Sequence, residues 1–560
     1  LDATHRVALR GNVNVHAQSR FDEGPVDPAM QLNYVTLTLK PSPAQQADLD
    51  RLLLQQQDPS SPNFRHWLTP EEYADRLGAS PADIAQIVAW LRSEGFDVIG
   101  PARGRRWVAF NATAQQIKTA LGTEIHHYRV DGELHFANAS EPSVPAAIAP
   151  FTIGFLGLDD FKTKPSPSRV QPQPELNYNG QNALAPGDIW VIYDLAPLFT
   201  TAVDVTGQGM KLAVIGQSDV NLSDIATYRS DFGLPANAPT KMLVPGANNP
   251  GIVSGDAGES DLDLELSGAT APNAKIIFVF SGNVTNSVMY AIDQAIAPVI
   301  SYSYAGCEAN QSASIIASLE PLAQQANSEG ITWVSASGDL GAAACDTGTA
   351  VSSKGLAVMM PASVPEVTGV GGTTFAEGFG GNYWSQTNGV YGYSAFGYIP
   401  EVGWNDSNSS HFASSGGGMS KIYARPPWQN APGVPAENVR FVPDVSFAAS
   451  ANHDGYFTFE NGGNDISGGT SASTPVFAGI VLLLNQYLGT SGLGNINPNL
   501  YKLASTTSNV FHDATTGSNF VPCVASAPGC VGGALGYSAG AGYDMVTGLG
   551  SIDVSNMFLA

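Results

Sequence analysis

Ser467-Gly-Gly-Thr-Ser-Ala-Ser-Thr-Pro475 is a run of small residues that leads straight into the apolar segment 476–488. A small-residue loop opening a buried helix sets Ser471 near the helix start, where first-turn N–H groups lack intrahelical acceptors and can point at a developing oxyanion. A serine so placed serves as a nucleophile, although an isolated Gly-Thr-Ser more often marks an ordinary helix cap.

A serine hydroxyl needs a base, usually histidine. The nine histidines of this chain leave residues 136–410 without one, so a histidine-based triad has no obvious carrier in that region. Carboxylates take their place in the reading. The densest acidic cluster, Glu259-Ser-Asp-Leu-Asp-Leu-Glu265, reads as one helix. Residues four apart share a face, so Glu259 and Asp263 cannot both ionise freely, and such a coupled pair can relay a proton. Asp261 with Glu265 is the competing pair, and periodicity alone does not choose between them. A solvated acidic surface is the plainer account of such a run.

Residues 331–341, Ile-Thr-Trp-Val-Ser-Ala-Ser-Gly-Asp-Leu-Gly, read as a strand ending in a glycine-bracketed turn at Asp339. Strand ends of α/β sheets face the crevice. A protonated Asp339 there would donate a hydrogen bond to a tetrahedral oxyanion, an arrangement that favours acidic pH. Around these residues, strand-like runs 211–216, 275–280, 299–303 and 331–335 alternate with helix-like runs 223–232, 287–297 and 313–327. The alternation predicts an α/β fold, a mostly parallel sheet with helices on both faces. Residues 30–160 form a separate pattern, with strands at 34–39 and 106–110 and helices at 44–55, 81–94 and 114–121, which predicts a compact α+β unit. Residues 162–174 are rich in proline and polar side chains and read as an extended linker. The stretch 375–415 reads as long surface loops.

Taken together, these motifs resemble the sedolisin family of serine-carboxyl peptidases. The family's Glu-x-x-x-Asp segment falls on Glu259 and Asp263, its Ser-Gly-Asp segment on Asp339, and its Gly-Thr-Ser-Ala segment on Thr470, Ser471 and Ala472. The resemblance implies a subtilisin-like catalytic domain over 186–560, preceded by an inhibitory, folding-assisting prodomain over 1–160 with an antiparallel sheet plus helices. A linker over 161–185 would hold the processing site. It implies Glu259 as base, Asp263 as its partner, Ser471 as nucleophile and Asp339 in the oxyanion hole. Phe511-His-Asp-Ala514 and Gly540-Ala-Gly-Tyr-Asp544 look like the family's calcium site, with Asp513, Ala514, Gly540, Gly542 and Asp544 binding one Ca2+ through oxygens. Isoleucine is common in the family where Ala514 stands, a change without consequence for a carbonyl ligand. Some relatives also place a tryptophan beside the triad; within 299–308 this chain offers Tyr302 or Tyr304 instead.

Composition agrees with a secreted acid enzyme. The chain has 560 residues, 43% of them hydrophobic, and a formal net charge of −24. Residues 1–168 hold 15 Lys/Arg against 19 Asp/Glu, and residues 169–560 hold 10 against 30, a balance that argues against nucleic-acid binding. Cys307, Cys345, Cys523 and Cys530 allow three connectivities, of which 307 with 345 and 523 with 530 is expected for a secreted enzyme. No run of 18 apolar residues is present, so no membrane partner is expected. The start at Leu1 is read as the product of signal-peptide removal. The expected partners are peptide or protein substrates and the chain's own prodomain, in a monomer. An endopeptidase is the primary reading. A tripeptidyl-peptidase of the same family, a non-catalytic acidic secreted binding protein, or a glycosidase using paired carboxylates are the alternatives; the last has no use for Ser471.

Overall fold

Four antiparallel strands, β1 (Gln31–Leu39), β2 (Asp97–Pro101), β3 (Trp107–Thr113) and β4 (Thr152–Leu156), form an N-terminal sheet in the order β2-β3-β1-β4. The computed structural model to which they belong describes residues 4–163, 165, 169–170, 177–178, 181–377 and 382–560. Helices α1 (Pro43–Gln57), α2 (Pro70–Leu77), α3 (Pro81–Ser93) and α4 (Ala114–Leu121) accompany this sheet, and each begins where a Ser or Thr side chain accepts a first-turn N–H. The strands alternate with period two, yet both faces are buried. Val35, Leu37, Val108 and Phe110 pack on Ile87, Leu91 and Ile117 of the unit's own helices. Tyr34, Trp107 and Ala109, on the opposite face, join a second core shared with the rest of the chain.

That second body is built on a larger sheet. Its strands are β5 (Lys211–Gly216), β6 (Thr240–Leu243), β7 (Lys275–Phe280), β8 (Val299–Tyr302), β9 (Thr332–Ala336), β10 (Val367–Phe375), β11 (Glu401–Gly403) and β12 (Val445–Ala448). The order is β6-β7-β5-β8-β9-β10, with β12 parallel and β11 antiparallel to β10. All remaining pairs are parallel. Helices α5 (Asp256–Thr270) and α8 (Thr470–Tyr487) cover one face, where Leu262, Leu266, Val476 and Ile480 meet Leu212 and Val214. Helices α6 (Val284–Asp293) and α7 (Ala313–Ser328) cover the other, against Ala213, Ile215 and Ile300. The N-terminal sheet packs over these last two helices, with Tyr34 and Trp107 in one apolar cluster with Met289 and Ala323. The α/β architecture, mostly parallel with helices on both faces and preceded by an antiparallel-sheet unit, is the one expected.

The helix expected at 287–297 instead runs Val284–Asp293. Asn283 caps it by accepting the Thr285 N–H, and Ala295, at φ 45°, stops it. Of the proline-rich stretch 162–174, residues 164, 166–168 and 171–174 lie outside the described residues. Arg169 and Val170 pair antiparallel with Ser467 and Ile466, which puts the linker backbone alongside the segment that leads to Ser471. Cys307 is bonded to Cys345 and Cys523 to Cys530. Among the described residues no helix is long and apolar enough to cross a membrane.

Candidate active site

Helix α5 carries four carboxylates in seven residues, and none faces solvent. Glu259, Asp261, Asp263 and Glu265 are all 3% exposed or less, because α5 is enclosed by the sheet, by α8 at its side and by the strand Tyr456–Glu460. A solvated acidic face, the plainer reading of this run, is therefore wrong. The structure separates the two candidate pairs by their surroundings. Glu265 Oε2 accepts the backbone N–H of Phe459 at 2.9 Å, which ties α5 to the hairpin of Tyr456–Glu460 and Gly463–Ser467. Asp263 Oδ1 accepts from the hydroxyl of Ser303 at 2.6 Å, and Ser303 stands immediately after β8. Burial drives both carboxyls well above the ordinary carboxylate range, with the hydrogen bonds pulling the other way.

Ser303 is the residue that sequence reasoning passed over. Its hydroxyl also reaches the backbone carbonyl of Ser471 at 3.4 Å, and its own carbonyl accepts from Ser471 Oγ at 3.4 Å. The reason lies four residues down α8. Pro475 has no N–H to offer the Ser471 carbonyl, so the helical bond that would occupy it is missing. Ser303 thus stands between Asp263 and Ser471. Its signal in the sequence was its position at a strand end. Tyr304 follows, fully buried, with Glu259 and Asp263 both close enough to raise its phenol. Tyr302 packs edge-on between Tyr304 and Trp333, and no acidic group acts on its phenol. Of the two tyrosines expected beside the acidic pair, Tyr304 is the one found there.

Ser471 is the second residue of α8, which starts from Gly469 at φ 87°, a conformation that glycine adopts without strain. Asp339 is set in the turn after β9. Thr470 donates to Asp339 Oδ1 through its backbone N–H at 2.8 Å and its hydroxyl at 2.7 Å, and the hydroxyl accepts the Gly338 N–H at 3.1 Å. Asp339 Oδ2 is buried and makes no hydrogen bond. Burial pushes this carboxyl up to about 7 against the pull of Thr470. Ser471, Asp339, Thr470 and Ser303 line one cleft of about 1430 Å³, and residues of the N-terminal unit, among them His135, Phe136 and Phe161, line it too.

The N-terminal unit grips the second body through polar contacts as well. The backbone N–H groups of Arg103 and Gly104 donate to the two oxygens of Asp293 at 2.9 and 2.8 Å. The Arg103 and Arg105 side chains pair within their own unit, with Glu71 and Asp75. The Arg103 guanidinium also donates to the Gln294 carbonyl of the second body at 3.3 Å, and its charge favours the ionised form of Asp293 there. Glu71 and Asp75 lie on α2, which packs beside the arginine loop and satisfies it first.

Near the C-terminus, Gly542 N–H donates to Asp513 Oδ2 at 2.7 Å and Gly540 N–H to Asp544 Oδ2 at 3.0 Å, while Asp544 Oδ1 accepts from Val546 and Thr547 N–H, each at 2.8 Å. These contacts involve four of the five residues expected to hold calcium, and the fifth, Ala514, follows Asp513 in the chain. Loss of solvent raises both carboxyls, and neither has a basic partner among the described residues.

Comparison with known proteins agrees with this geometry. Residues 19–161 match the family described as "Pro-kumamolisin, activation domain". Kumamolisin of Bacillus sp. (strain MN-32) is 29% identical over 98% of this chain and 94% of its own length. Sedolisin of Pseudomonas sp. (strain 101) is 28% identical over 91% of this chain and 84% of its own. A solved structure of Pseudomonas sedolisin, a serine-carboxyl proteinase complexed with pseudo-iodotyrostatin, superimposes with a TM-score of 0.56 at 26% identity, covering 68% of this chain and 98% of that one. Together with an activation unit lying over a cleft that holds a helix-start serine and buried carboxyls, these likenesses support a sedolisin-family precursor of a serine-type peptidase.

Proposed function

We propose that the mature enzyme is an acid-acting endopeptidase that works outside the cell as a monomer, cleaving peptide bonds through an acyl-enzyme on Ser471. Glu259 takes the serine proton as the Ser471 oxygen bonds to the substrate carbonyl carbon. Asp263 orients and tunes Glu259. Asp339 in its neutral form donates to the oxyanion, the C–N bond then breaks as the amine takes the proton, and water releases the acyl group.

One observation carries the reading: Ser471 and Asp339 line the same cleft, and the Asp339 oxygen left without a hydrogen bond belongs to a carboxyl raised to about 7. In acid that carboxyl is protonated, and a neutral carboxylic acid held by packing is a preorganised donor. The activation unit is the intramolecular inhibitor, since it lines that cleft. The linker, whose Arg169 pairs with Ser467, is the proposed place of processing. Paired cysteines and an acidic chain support an extracellular site of action. Asp513 and Asp544, with the carbonyls of Ala514, Gly540 and Gly542, are the proposed ligands of one Ca2+, which neutralises the two carboxylate charges when bound.

The test compares the full chain with its Ser471→Ala variant at about pH 4, near the ordinary carboxyl range, following chain mass and digestion of a denatured protein. Cleavage within 161–185 and digestion by the parent alone are expected. Equal behaviour of the two chains overturns the assignment of Ser471.

A further inference from the structure

Glu377, His453 and Asp454 stand outside the machinery described so far. Glu377 follows β10, and His453 and Asp454 form the turn before the hairpin strand Tyr456–Glu460. His453 Nε2 lies 3.3 Å from Glu377 Oε2 and 3.5 Å from Asp454 Oδ2, and one ligand atom from each of the three falls within 4.8 Å of the others. The Asp454 side chain is 1% exposed. Its Oδ1 accepts the Asn182 N–H at 2.5 Å, while Oδ2, the oxygen turned to the imidazole, makes no hydrogen bond.

We propose that these three side chains form a second metal site, for a divalent transition ion of the zinc type, which fastens the end of the linker to the catalytic body. The spacing is the first argument. Two ligands about 2.0–2.1 Å from an ion at a tetrahedral angle stand about 3.3–3.4 Å apart. A charge-assisted N–H to carboxylate bond is shorter, about 2.7–2.9 Å. The observed 3.3 and 3.5 Å match the former. Donor chemistry is the second argument: one imidazole nitrogen and two carboxylates neutralise a dication, and the nitrogen favours zinc-like ions over calcium or magnesium, whereas the absence of thiolate disfavours copper(I).

The surroundings suit the role. Trp384 Nε1 donates to the other oxygen of Glu377, and the His453 N–H is held by Ser450 Oγ at 3.0 Å, itself bonded to Asp406 Oδ2 at 2.7 Å. His453, with its side chain 38% exposed, leaves a solvent side on which water can complete the coordination. Asp406 is the further charge close enough to act on the imidazole. Through Asn182 the site reaches the last residues of the linker, so an ion bound there holds the end of the linker against the hairpin that leads to Ser471.

Zn2+ is titrated by calorimetry into the full Ser471→Ala chain at about pH 7, in excess Ca2+ so that the C-terminal carboxylates are occupied. One zinc site and a zinc-dependent rise in melting temperature are expected. His453→Gln and Glu377→Gln are expected to weaken binding about 100-fold and to abolish the rise, while His411→Gln, which alters an exposed histidine elsewhere, leaves both intact. Far-UV circular dichroism and the zinc-free melting temperature of each variant report whether its fold is kept. No zinc binding by the parent overturns the proposal, as does binding unchanged in well-folded His453→Gln and Glu377→Gln chains.

Discussion

Thr470 holds a single oxygen of Asp339 twice, by its N–H at 2.8 Å and its hydroxyl at 2.7 Å. The residue before the proposed nucleophile therefore fixes the proposed oxyanion donor, and the two reach the cleft as one unit. Thr470→Val removes the hydroxyl that binds both Asp339 and the Gly338 N–H. A misplacement of about 1 Å at such a site costs about 100-fold, so kcat/KM on a peptide substrate is expected to fall by about 10- to 100-fold, with Thr470→Ser close to the parent. Equal rates for the two variants would show that the clamp does not position Asp339.

The Asp339 carboxyl, pushed to about 7 by burial, is neutral in acid and loses its proton as the pH rises through that value. Only the neutral form donates from Oδ2. The kcat/KM of the processed enzyme is therefore expected to decline on the alkaline side through Asp339 ionisation. Asp339→Asn retains a donor at every pH and is expected to keep part of the activity while losing this limb, whereas Asp339→Ala costs about 100- to 1000-fold throughout. A pH–rate profile of the three proteins decides; an Asp339→Ala enzyme as active as the parent in acid would remove Asp339 from the mechanism.

Much of this was legible along the chain. The strands Lys211–Gly216 and Lys275–Phe280 fall where their apolar runs end, because buried parallel strands have no other pattern to follow. The placement of Ser471 at a helix start and of Asp339 in the turn after a strand followed from their neighbours, glycines that allow both. The burial of α5 was not legible. Four carboxylates in seven residues look solvated until α8 and the sheet close over them, and no local signal records that closure. Ser303 was hidden for a related reason, since its contact with Ser471 depends on Pro475, a residue far away in sequence whose missing N–H matters only once the strand and helix meet.

Glu265 tests which acidic pair does the chemistry. Its carboxylate accepts the Phe459 N–H and, on this geometry, serves the hairpin. Glu265→Gln preserves an acceptor and is expected to leave kcat within about three-fold, while Glu265→Leu orphans the N–H and costs about 1–3 kcal/mol of stability. Glu259→Gln and Asp263→Asn are expected to lose about 1000-fold or more in kcat. Single-turnover kinetics and chemical denaturation separate the two effects; a Glu265→Gln enzyme as crippled as Glu259→Gln would reverse the choice of pair.

The C-terminal carboxylates give a prediction that does not depend on turnover. Asp513 and Asp544 are raised by loss of solvent and have no basic partner among the described residues, so a calcium ion would offset the cost of their charges when bound. Chelation is expected to lower the melting temperature of the Ser471→Ala chain, by several degrees for about 2–3 kcal/mol of binding linkage. Asp544→Asn is expected to melt lower and to ignore the chelator. A parent indifferent to chelation at neutral pH would leave the site without its ion.

Asp293 tests how the activation unit is held. Both of its oxygens accept N–H groups from the other unit, those of Arg103 and Gly104, so one carboxylate on α6 anchors the turn that leads into β3. Hydrogen bonds to a charged group contribute about 1.5–3 kcal/mol each. Asp293→Ala removes both, and the variant precursor is expected to process about ten-fold faster or more in acid, with Asp293→Asn in between because its amide still accepts one bond. The measurement is the rate of appearance of the mature chain by mass spectrometry. An unchanged rate would mean that the apolar contact of Tyr34 and Trp107 with α6 and α7 holds the unit in place, and processing would then be limited by cleavage rather than by release.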